Sequence, residues 1–314
     1  MTTSDSRAAV AVRRGLAKEV AALHGGVVSR AMLRAVGVDH RMVAREVAAE
    51  RWALHGVQTV SVTTGALGFE GSCWRAVWEV GERVAALDGV TALQHAGLTG
   101  LGDATVHVSV KHTTEVVAVD GVRIHKVIRR PSEQLFGAGL PRARPAIAAV
   151  RAAHWAVSDR QAALFLVMPV QQRLCTGRQL VEATAHARGR TRRALIRTLV
   201  GDVADGAHSL GELDVVASCR ARGLPDPARQ SLRRLPGGAA YLDLEWPEAR
   251  LVVEVDGAGH LRGLQMVDDD LRQNAVAMGD DLVLRVGLIG WRLTPHLYLD
   301  QIVGTYWRRL RRAA

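Results

Sequence analysis

Hydrophobic positions near the start of the chain recur at helical spacing and then switch to alternation. One helical face of the first segment carries its large apolar residues, Leu16, Val20 and Leu23. Ser29 and Asp39 are residue types that cap the starts of helices, and an apolar-patterned stretch follows each of them. Residues 51–62 then alternate between apolar and polar side chains, as the strands of a hairpin do. The pattern predicts three short helices and a hairpin within residues 1–64.

Three helices followed by a hairpin are typical of a winged helix-turn-helix, whose third helix enters the major groove of DNA. The apolar residues of that helix would face inward, whereas Arg41 and Arg45 would face outward. Arg41 and Arg45 are therefore the predicted DNA contacts. Glu46 and Glu50 would dilute the positive charge of the same face, and a surface for protein partners is the alternative.

The middle of the chain, residues 65–205, predicts a small α/β region. Residues 74–87 have an amphipathic helical pattern. Alternating apolar residues then predict three strands, at 105–110, 116–119 and 122–127. Residues 141–145 are predicted to be a linker, and helices follow it.

One of these later helices is rich in arginine and includes Arg192 and Arg193. A solvated arginine face is the simpler interpretation, and contacts with the phosphates of DNA are the alternative. Under the alternative, Arg192 and Arg193 would bind DNA.

Two apolar-patterned runs near the end of the chain flank a short turn. Residues 241–246 and 250–256 predict adjacent antiparallel strands joined at Pro247-Glu248-Ala249. Because side chains alternate along a strand, Glu254 and Asp256 share one face. Asp243, on the preceding strand, is expected to face the same way.

Three carboxylates that lie so near to one another repel each other, unless one takes up a proton or all three share a cation. Hard oxygen ligands suit Mg²⁺ or Mn²⁺, so Asp243, Glu254 and Asp256 are the predicted metal ligands. A solvent-exposed strand face would show a similar alternation. The continuous apolar run at residues 251–253 instead favours a strand that is buried on both faces.

Composition adds a strong positive charge. The 314 residues include 41 Lys and Arg against 31 Asp and Glu, a net charge of +10, and nearly all the cations are arginine. Arginine binds phosphates through a forked, bidentate geometry, so the charge favours nucleic acid as a partner. An arginine-rich composition is also typical of GC-rich genomes, which weakens that inference.

No apolar run approaches the length of a membrane span, and the first residues lack a signal core, so a cytoplasmic protein without a membrane partner is predicted. Three cysteines without Cys-x-x-Cys spacing predict reduced core residues.

The final segment carries a specific resemblance. An aspartate on one strand is followed by a strand that ends in Glu254-x-Asp256-Gly-x-x-His260, then by Asp-x-x-Arg272, and then by an apolar strand with an arginine. This order resembles the very-short-patch mismatch repair endonucleases of the PD-(D/E)XK restriction-endonuclease-like superfamily. The resemblance covers roughly residues 209–310 and implies a mixed sheet flanked by helices over a predicted domain of residues 206–314.

The resemblance also implies roles for individual residues. Asp243 and Glu254 correspond to the metal-binding positions, and His260 lies close to the site, where its imidazole would manage the attacking water. Glu212 corresponds to a glutamate that completes the metal site in many members, although Ser209-x-x-Glu212 also fits a capping box. Arg272 would stabilise phosphate charge. Asp256 stands where many members carry a catalytic lysine, which the mismatch-repair branch also lacks.

The N-terminal region resembles the corresponding domain of AbiEi-type antitoxins, through Gly26-Val27-Val28-Ser29-Arg30, Gly37-Val38 and Arg51-Trp52. Together the patterns predict a multi-domain α/β protein that is a metal-dependent DNA endonuclease, in phage defence or DNA repair. The alternative is a non-catalytic, antitoxin-like DNA-binding regulator. A third hypothesis is a protein that neutralises a cognate toxin.

Overall fold

The computed structural model describes residues 3–102, 104–136, 139–187, 189–205, 209–235, 238–256 and 281–313. The chain divides into two compact units, Met1–Ala148 and Ala149–Ala314. This division falls inside the segment 65–205, so the three domains drawn from the sequence stay a prediction. Both units contain helices and β-sheets, which confirms the α/β class.

The first unit opens with three helices and a three-stranded sheet. The helices are α1 (Thr3–Ala22), α2 (Arg30–Ala35) and α3 (His40–Ala48), and the strands are β1 (Val27–Ser29), β2 (Ala53–Leu54) and β3 (Thr59–Ser61). The sheet is antiparallel in the order β1-β3-β2. Ser29 and Asp39 cap α2 and α3 by accepting hydrogen bonds from the backbone N–H groups of Met32 and Met42, as the sequence predicts.

The buried face of α1 agrees with the predicted one only at Val20, which is partly buried and packs against the core. Leu16 is 40% exposed and Leu23, beyond the end of the helix, is 77% exposed. Ala17 and Ala21 are fully buried instead, against Leu33, Met42 and other core residues of this subdomain. Short alanine side chains allow the helix backbone to lie close to its neighbours, and a search for large apolar residues overlooks such a face.

The rest of the first unit is built on a five-stranded sheet. Its helices are α4 (Phe69–Val80) and α5 (Gly89–His95), and its strands are β4 (Ala86–Leu87), β5 (Val106–Lys111), β6 (Val122–Val127), β7 (Leu135–Phe136) and β8 (Arg142–Ala143). The strand order is β6-β5-β4-β8-β7. Residues 116–119 form no strand, contrary to the sequence-based expectation. The predicted linker at 141–145 contains β8, which pairs with β4 and β7.

Helices dominate the second unit. Among the described residues they are α6 (Pro145–Trp155), which begins before residue 149, α7 (Asp159–Gln171), α8 (Gly177–His186), α9 (Arg193–Asp205), α10 (Ser209–Ala221), α11 (Leu288–Leu293) and α12 (Pro295–Ala313). Arg292 of α11 bonds Asp202 of α9 at 2.9 Å and also contacts Asp214 of α10. This ion-pair network joins three helices that are distant in sequence.

A four-stranded mixed sheet completes the second unit. Its strands are β9 (Ala228–Leu235), β10 (Gly238–Trp246), β11 (Leu251–Asp256) and β12 (Leu282–Gly287), in the order β12-β11-β10-β9. The first three strands are antiparallel neighbours, whereas β11 and β12 are parallel. A 3₁₀ turn at Pro247–Ala249 joins β10 to β11, so the predicted strand pair and its turn are confirmed.

The sheet is buried on both faces around β11. Leu251, Val253 and Val255 pack into the larger core, which also contains Trp246 and residues of α10, α11 and α12. Val252 packs instead with Leu242 and Val283. The continuous apolar run in β11 therefore reflects burial on both sides, as the sequence predicts.

Within the part of the chain that the structure describes, no helix combines the length and apolarity needed to cross a bilayer.

Candidate functional site

Asp243 lies at an interruption of the mixed sheet. β10 pairs with β9 at Leu242 and again at Leu244, but the register skips the intervening position, where Asp243 faces Gln230. Gln230 has a φ of 50°, a left-handed conformation that is uncommon outside glycine. Leu242 and Leu244 also belong to separate buried clusters, although residues two apart on a regular strand share one face. The strand is thus irregular at Asp243.

The Asp243 carboxylate accepts a hydrogen bond from each of the two neighbouring strands at this point. Its Oδ2 accepts a hydrogen bond from the backbone N–H of Val255 at 2.8 Å, and its Oδ1 accepts one from Nε2 of Gln230 at 3.3 Å. The pairing of β10 with β11 stops one residue earlier, at Leu244 and Val253. The carboxylate therefore replaces ladder hydrogen bonds where the strands separate.

Glu254 is the closest counterpart of Asp243 on β11. Extending the β10–β11 register by one pair sets Glu254 opposite Asp243, and paired residues on adjacent strands share a face. On its other side, Glu254 is in register with Arg285 of β12. Both acids are partly buried. The sheet thus aligns two carboxylates and one guanidinium on three neighbouring strands.

The other predicted site residues are not tested by the structure. Asp256 ends β11 and Glu212 lies on α10, but their side chains are outside the described part of the chain. His260 and Arg272 lie within residues 257–280, which are also outside it. Their assigned roles stay predictions.

The donor set of Asp243 and Glu254 fits a divalent cation. Mg²⁺ is bound through one or two carboxylates together with water and phosphate oxygens. Each carboxylate oxygen has two lone pairs, so the bonds from Val255 and Gln230 leave Asp243 able to ligate a metal. No group of three or more His, Cys, Asp or Glu side chains converges among the described residues. The fit therefore rests on two carboxylates.

The α3 helix presents the two arginines that the sequence singled out. Arg41 and Arg45 are exposed and lie one turn apart. In the described part of the chain, neither guanidinium donates a hydrogen bond to a protein group. Both are therefore available to a ligand.

The expectation that Glu46 reduces the charge of this face is wrong. Its side chain is only 2% exposed and lies between Arg14, at 2.5 Å, and Arg51, at 2.7 Å. These partners come from α1 and from the residue before Trp52, and sequence spacing does not reveal either pairing. Glu46 is therefore not part of the exposed face of α3, and the exposed acids beside this helix are its cap residue Asp39 and Glu50, just beyond its end.

The hairpin of β2 and β3 is tied to α4, a contact that the sequence did not predict. Glu79 accepts hydrogen bonds from the backbone N–H groups of Val57 and Gln58, at 2.9 and 2.8 Å, and from Oγ1 of Thr59 at 2.7 Å. Arg75 donates to the carbonyl oxygen of His55 at 2.5 Å. Glu79 and Arg75, two side chains of α4, therefore hold the hairpin in place.

Arg192 and Arg193 have different environments. Nε of Arg192 bonds Asp159 at 2.7 Å, and its Nη1 donates to the carbonyl oxygen of Ala156 at 2.8 Å. Arg193 is exposed and uses only its Nε, which donates to the carbonyl oxygen of Gly189 at 2.5 Å. Arg192 has a structural explanation, whereas Arg193 keeps its two Nη groups for a ligand.

Sequence reasoning gave no role to Gln230, Arg285 or Glu79. Arg285 could have been found by assuming that the strand after the acidic one is parallel to it. The roles of Gln230 and Glu79 depend on tertiary register, for which the sequence carries no local signal.

No protein-family model matches the chain, and none of the curated proteins compared with it matches either. The site's own geometry is the basis for a functional conclusion.

Proposed function

We propose that the protein is a metal-dependent endonuclease that hydrolyses phosphodiester bonds of DNA. The observation that carries this proposal is the alignment of Asp243 with Glu254 on adjacent strands, at an interruption of the sheet. Two carboxylates that share a divalent cation provide the chemistry of phosphodiester hydrolysis. A mixed sheet flanked by helices, together with the sequence resemblance to the PD-(D/E)XK superfamily, supports the same conclusion.

In this mechanism, Asp243 and Glu254 hold Mg²⁺ or Mn²⁺. Such an ion, when bound, would lower the pKa of a water molecule and neutralise charge on the phosphate. Arg285, in register with Glu254, would stabilise negative charge on the phosphate oxygens. His260 would accept the proton of the attacking water, Arg272 would add a second phosphate contact, and Asp256 and Glu212 would complete the ligand set.

The first unit supplies DNA binding in this proposal. Its three helices and hairpin correspond to a winged helix in which α3 enters the major groove. Exposed Arg41 and Arg45 support that orientation, since arginine binds both phosphates and guanine edges.

Conservative substitutions of the two acids test the chemistry. Asp243→Asn keeps an oxygen that accepts the Val255 hydrogen bond, and Glu254→Gln keeps the shape of the side chain, but each removes a negative charge. We expect each variant to lose Mg²⁺ binding in a calorimetric titration. We also expect its rate of plasmid cleavage to fall by a factor of about one hundred or more. Asp300→Asn is the matched control, because this exposed acid of the same unit is paired with Arg222 at 2.6 Å.

A parent protein that neither binds Mg²⁺ or Mn²⁺ nor nicks DNA would rule out the endonuclease proposal. Cleavage by Glu254→Gln at the parent rate would do the same for the assigned site. The melting temperature of each variant shows whether a loss of activity reflects unfolding.

A non-catalytic DNA-binding regulator is the second candidate, and one observation favours it. Both acids have structural neighbours that relieve their repulsion: Asp243 accepts bonds from Gln230 and Val255, and Glu254 is in register with Arg285. In that case DNA binding persists without cleavage, and Asp243→Asn lowers stability without affecting any reaction. Binding of a cognate toxin is a further proposal for this candidate, which co-purification with the product of a neighbouring gene tests.

A further inference from the structure

A cavity in the second unit lies between α6, α8 and α9. Its volume is about 320 Å³, roughly ten times the ~30 Å³ that a water molecule occupies in the liquid. Its lining includes His154, Thr184, Gly189, Arg193, Ile196 and Arg197. The cavity is thus large enough for a small ligand and is lined by two arginines.

The two arginines of the cavity are available to bind a ligand. Arg193 and Arg197 are exposed and lie one turn apart on α9. Arg193 uses its Nε for the carbonyl oxygen of Gly189. In the described part of the chain, the guanidinium of Arg197 makes no hydrogen bond with a protein group. Five N–H donors per guanidinium leave most of the binding capacity of this pair unused.

The electrostatic balance of the cavity favours an anion. None of the described residues that line it is acidic. The 13-residue helix α9 begins at Arg193, so its positive end adds to the arginine charges. The carbonyl end of α8, which reaches His186, opposes this effect, but a helix end carries about half a charge against two full charges from the arginines.

His154 shapes the cavity without adding charge. Its Nδ1 donates to the carbonyl oxygen of Thr191 at 2.6 Å, and burial lowers the pKa of the imidazole below its usual value. The ring packs so closely on Gly189 that a Cβ there would lie 2.2 Å from it. This contact fixes the loop whose Gly189 carbonyl orients Arg193.

We propose that the cavity lined by Arg193 and Arg197 is a binding site for a phosphate group. Paired guanidinium groups with no competing acid bind phosphate oxygens through charge-assisted, bidentate hydrogen bonds. The proposal is independent of the proposed endonuclease activity, because it concerns residues remote in sequence from Asp243 and Glu254. The phosphate belongs either to a nucleotide or to the backbone of DNA.

Calorimetric titration of the full chain tests the site. The probes are inorganic phosphate, a nucleoside monophosphate, and a short DNA duplex with the binding measured at two salt concentrations. Arg193→Ala/Arg197→Ala is compared with Arg160→Ala/Arg178→Ala, which removes the same charge from exposed positions of α7 and α8. We expect the cavity variant to bind at least one probe about tenfold more weakly, or worse, and the control to stay within about twofold of the parent.

Each outcome decides the proposal. Arginine-dependent binding of the monophosphate identifies a nucleotide-type ligand, and dependence seen only with the duplex identifies the DNA backbone; both support a phosphate site. Equal loss in the cavity and control variants would show a general charge effect and overturn the proposal. Failure of the parent to bind any probe would also overturn it, whether or not the protein cleaves DNA.

Discussion

Glu46 is a buried carboxylate whose two arginine partners are partly exposed. Burial raises the pKa of its carboxyl, but the hydrogen bonds and charges of Arg51 and Arg14 outweigh burial and hold the pKa below 4.5. A carboxyl whose pKa is lower in the folded state contributes stability above its unfolded pKa, and loses it as the pH falls through the folded value. Glu46 therefore stabilises the first unit at neutral pH and not in acid.

We expect Glu46→Gln to lower the free energy of unfolding at pH 7 by about 1–3 kcal/mol. The difference between parent and variant should shrink as the pH falls below 4.5, because the parent then also loses the charge. Urea denaturation at several pH values measures this, and hydrogen exchange of residues 40–54 locates it. Glu50→Gln, at an exposed position, should have little effect; a pH-independent difference for Glu46→Gln would contradict the explanation.

The three cysteines are buried thiols. Burial raises the pKa of Cys73 to about 12, with a contribution from nearby Glu70, and raises the pKa of Cys175 and Cys219 to about 11. Because the thiolate is the reactive form, we expect no labelling of the native protein by a disulfide reagent at pH 8 and complete labelling after unfolding. Val157→Cys, at a position 80% exposed, is the control that should react in the native state. Rapid native labelling of any natural cysteine would contradict its burial.

Between elements, the contact of Glu79 with the β2–β3 hairpin makes a separate prediction. A carboxylate that accepts three hydrogen bonds fixes the turn against α4, and Gly56 permits this approach because a Cβ would lie 2.3 Å from Cδ of Glu79. Glu79→Ala should lower the free energy of unfolding by about 1–3 kcal/mol. It should also accelerate hydrogen exchange at the amides of Val57 and Gln58.

The control for this prediction is Glu82→Ala, which removes an exposed acid just beyond α4. Its exchange rates at the hairpin should match those of the parent. If Glu79→Ala left the exchange of Val57 and Gln58 unchanged, the hairpin would be stable without α4.

Elements with strong local signals were predictable from the sequence. The caps Ser29 and Asp39 and the turn at Pro247–Ala249 are set by residues within a few positions of each other, and the structure confirms them. The continuous apolar run at residues 251–253 likewise predicted the two buried faces of β11. Local chemistry is sufficient to predict an element when the residues that determine the element lie within it or next to it.

Features set by distant partners were not predictable. Residues 116–119 have strand-like alternation, yet β5 pairs with residues 122–127 instead. The sequence indicated that Glu46 is a surface acid, because its partner Arg14 is 32 residues away and no local pattern indicates that the two side chains form an ion pair. In the candidate site, the alternation predicted that Asp243 and Glu254 lie on the same face of the sheet. The missing pair between Asp243 and Gln230 depends on the register of β9 and β10, for which the sequence has no local signal.

At the scale of the whole molecule, the proposed function assigns binding and chemistry to different units. Arg41 and Arg45 belong to the first compact unit, and Asp243 and Glu254 belong to the second. If the assignment is right, the two properties respond to different substitutions. Glu254→Gln should slow cleavage about a hundredfold or more, while DNA affinity stays within about twofold of the parent, since the variant keeps Arg41 and Arg45, the two arginines proposed to bind DNA.

Arg41→Ala/Arg45→Ala should have the complementary effect. Each phosphate contact releases about one counterion, so the slope of log affinity against log salt should decrease by about one for each arginine that contacts phosphate. Cleavage at saturating protein should change little, because the Asp243–Glu254 pair is intact. Fluorescence anisotropy at four salt concentrations and single-turnover cleavage measure both quantities, with Lys18→Ala, an exposed cation on α1, as the control. Unchanged affinity and slope in the double variant would exclude α3 as the DNA-binding surface, and Arg193 and Arg197 of the second unit would then be the next candidates to test.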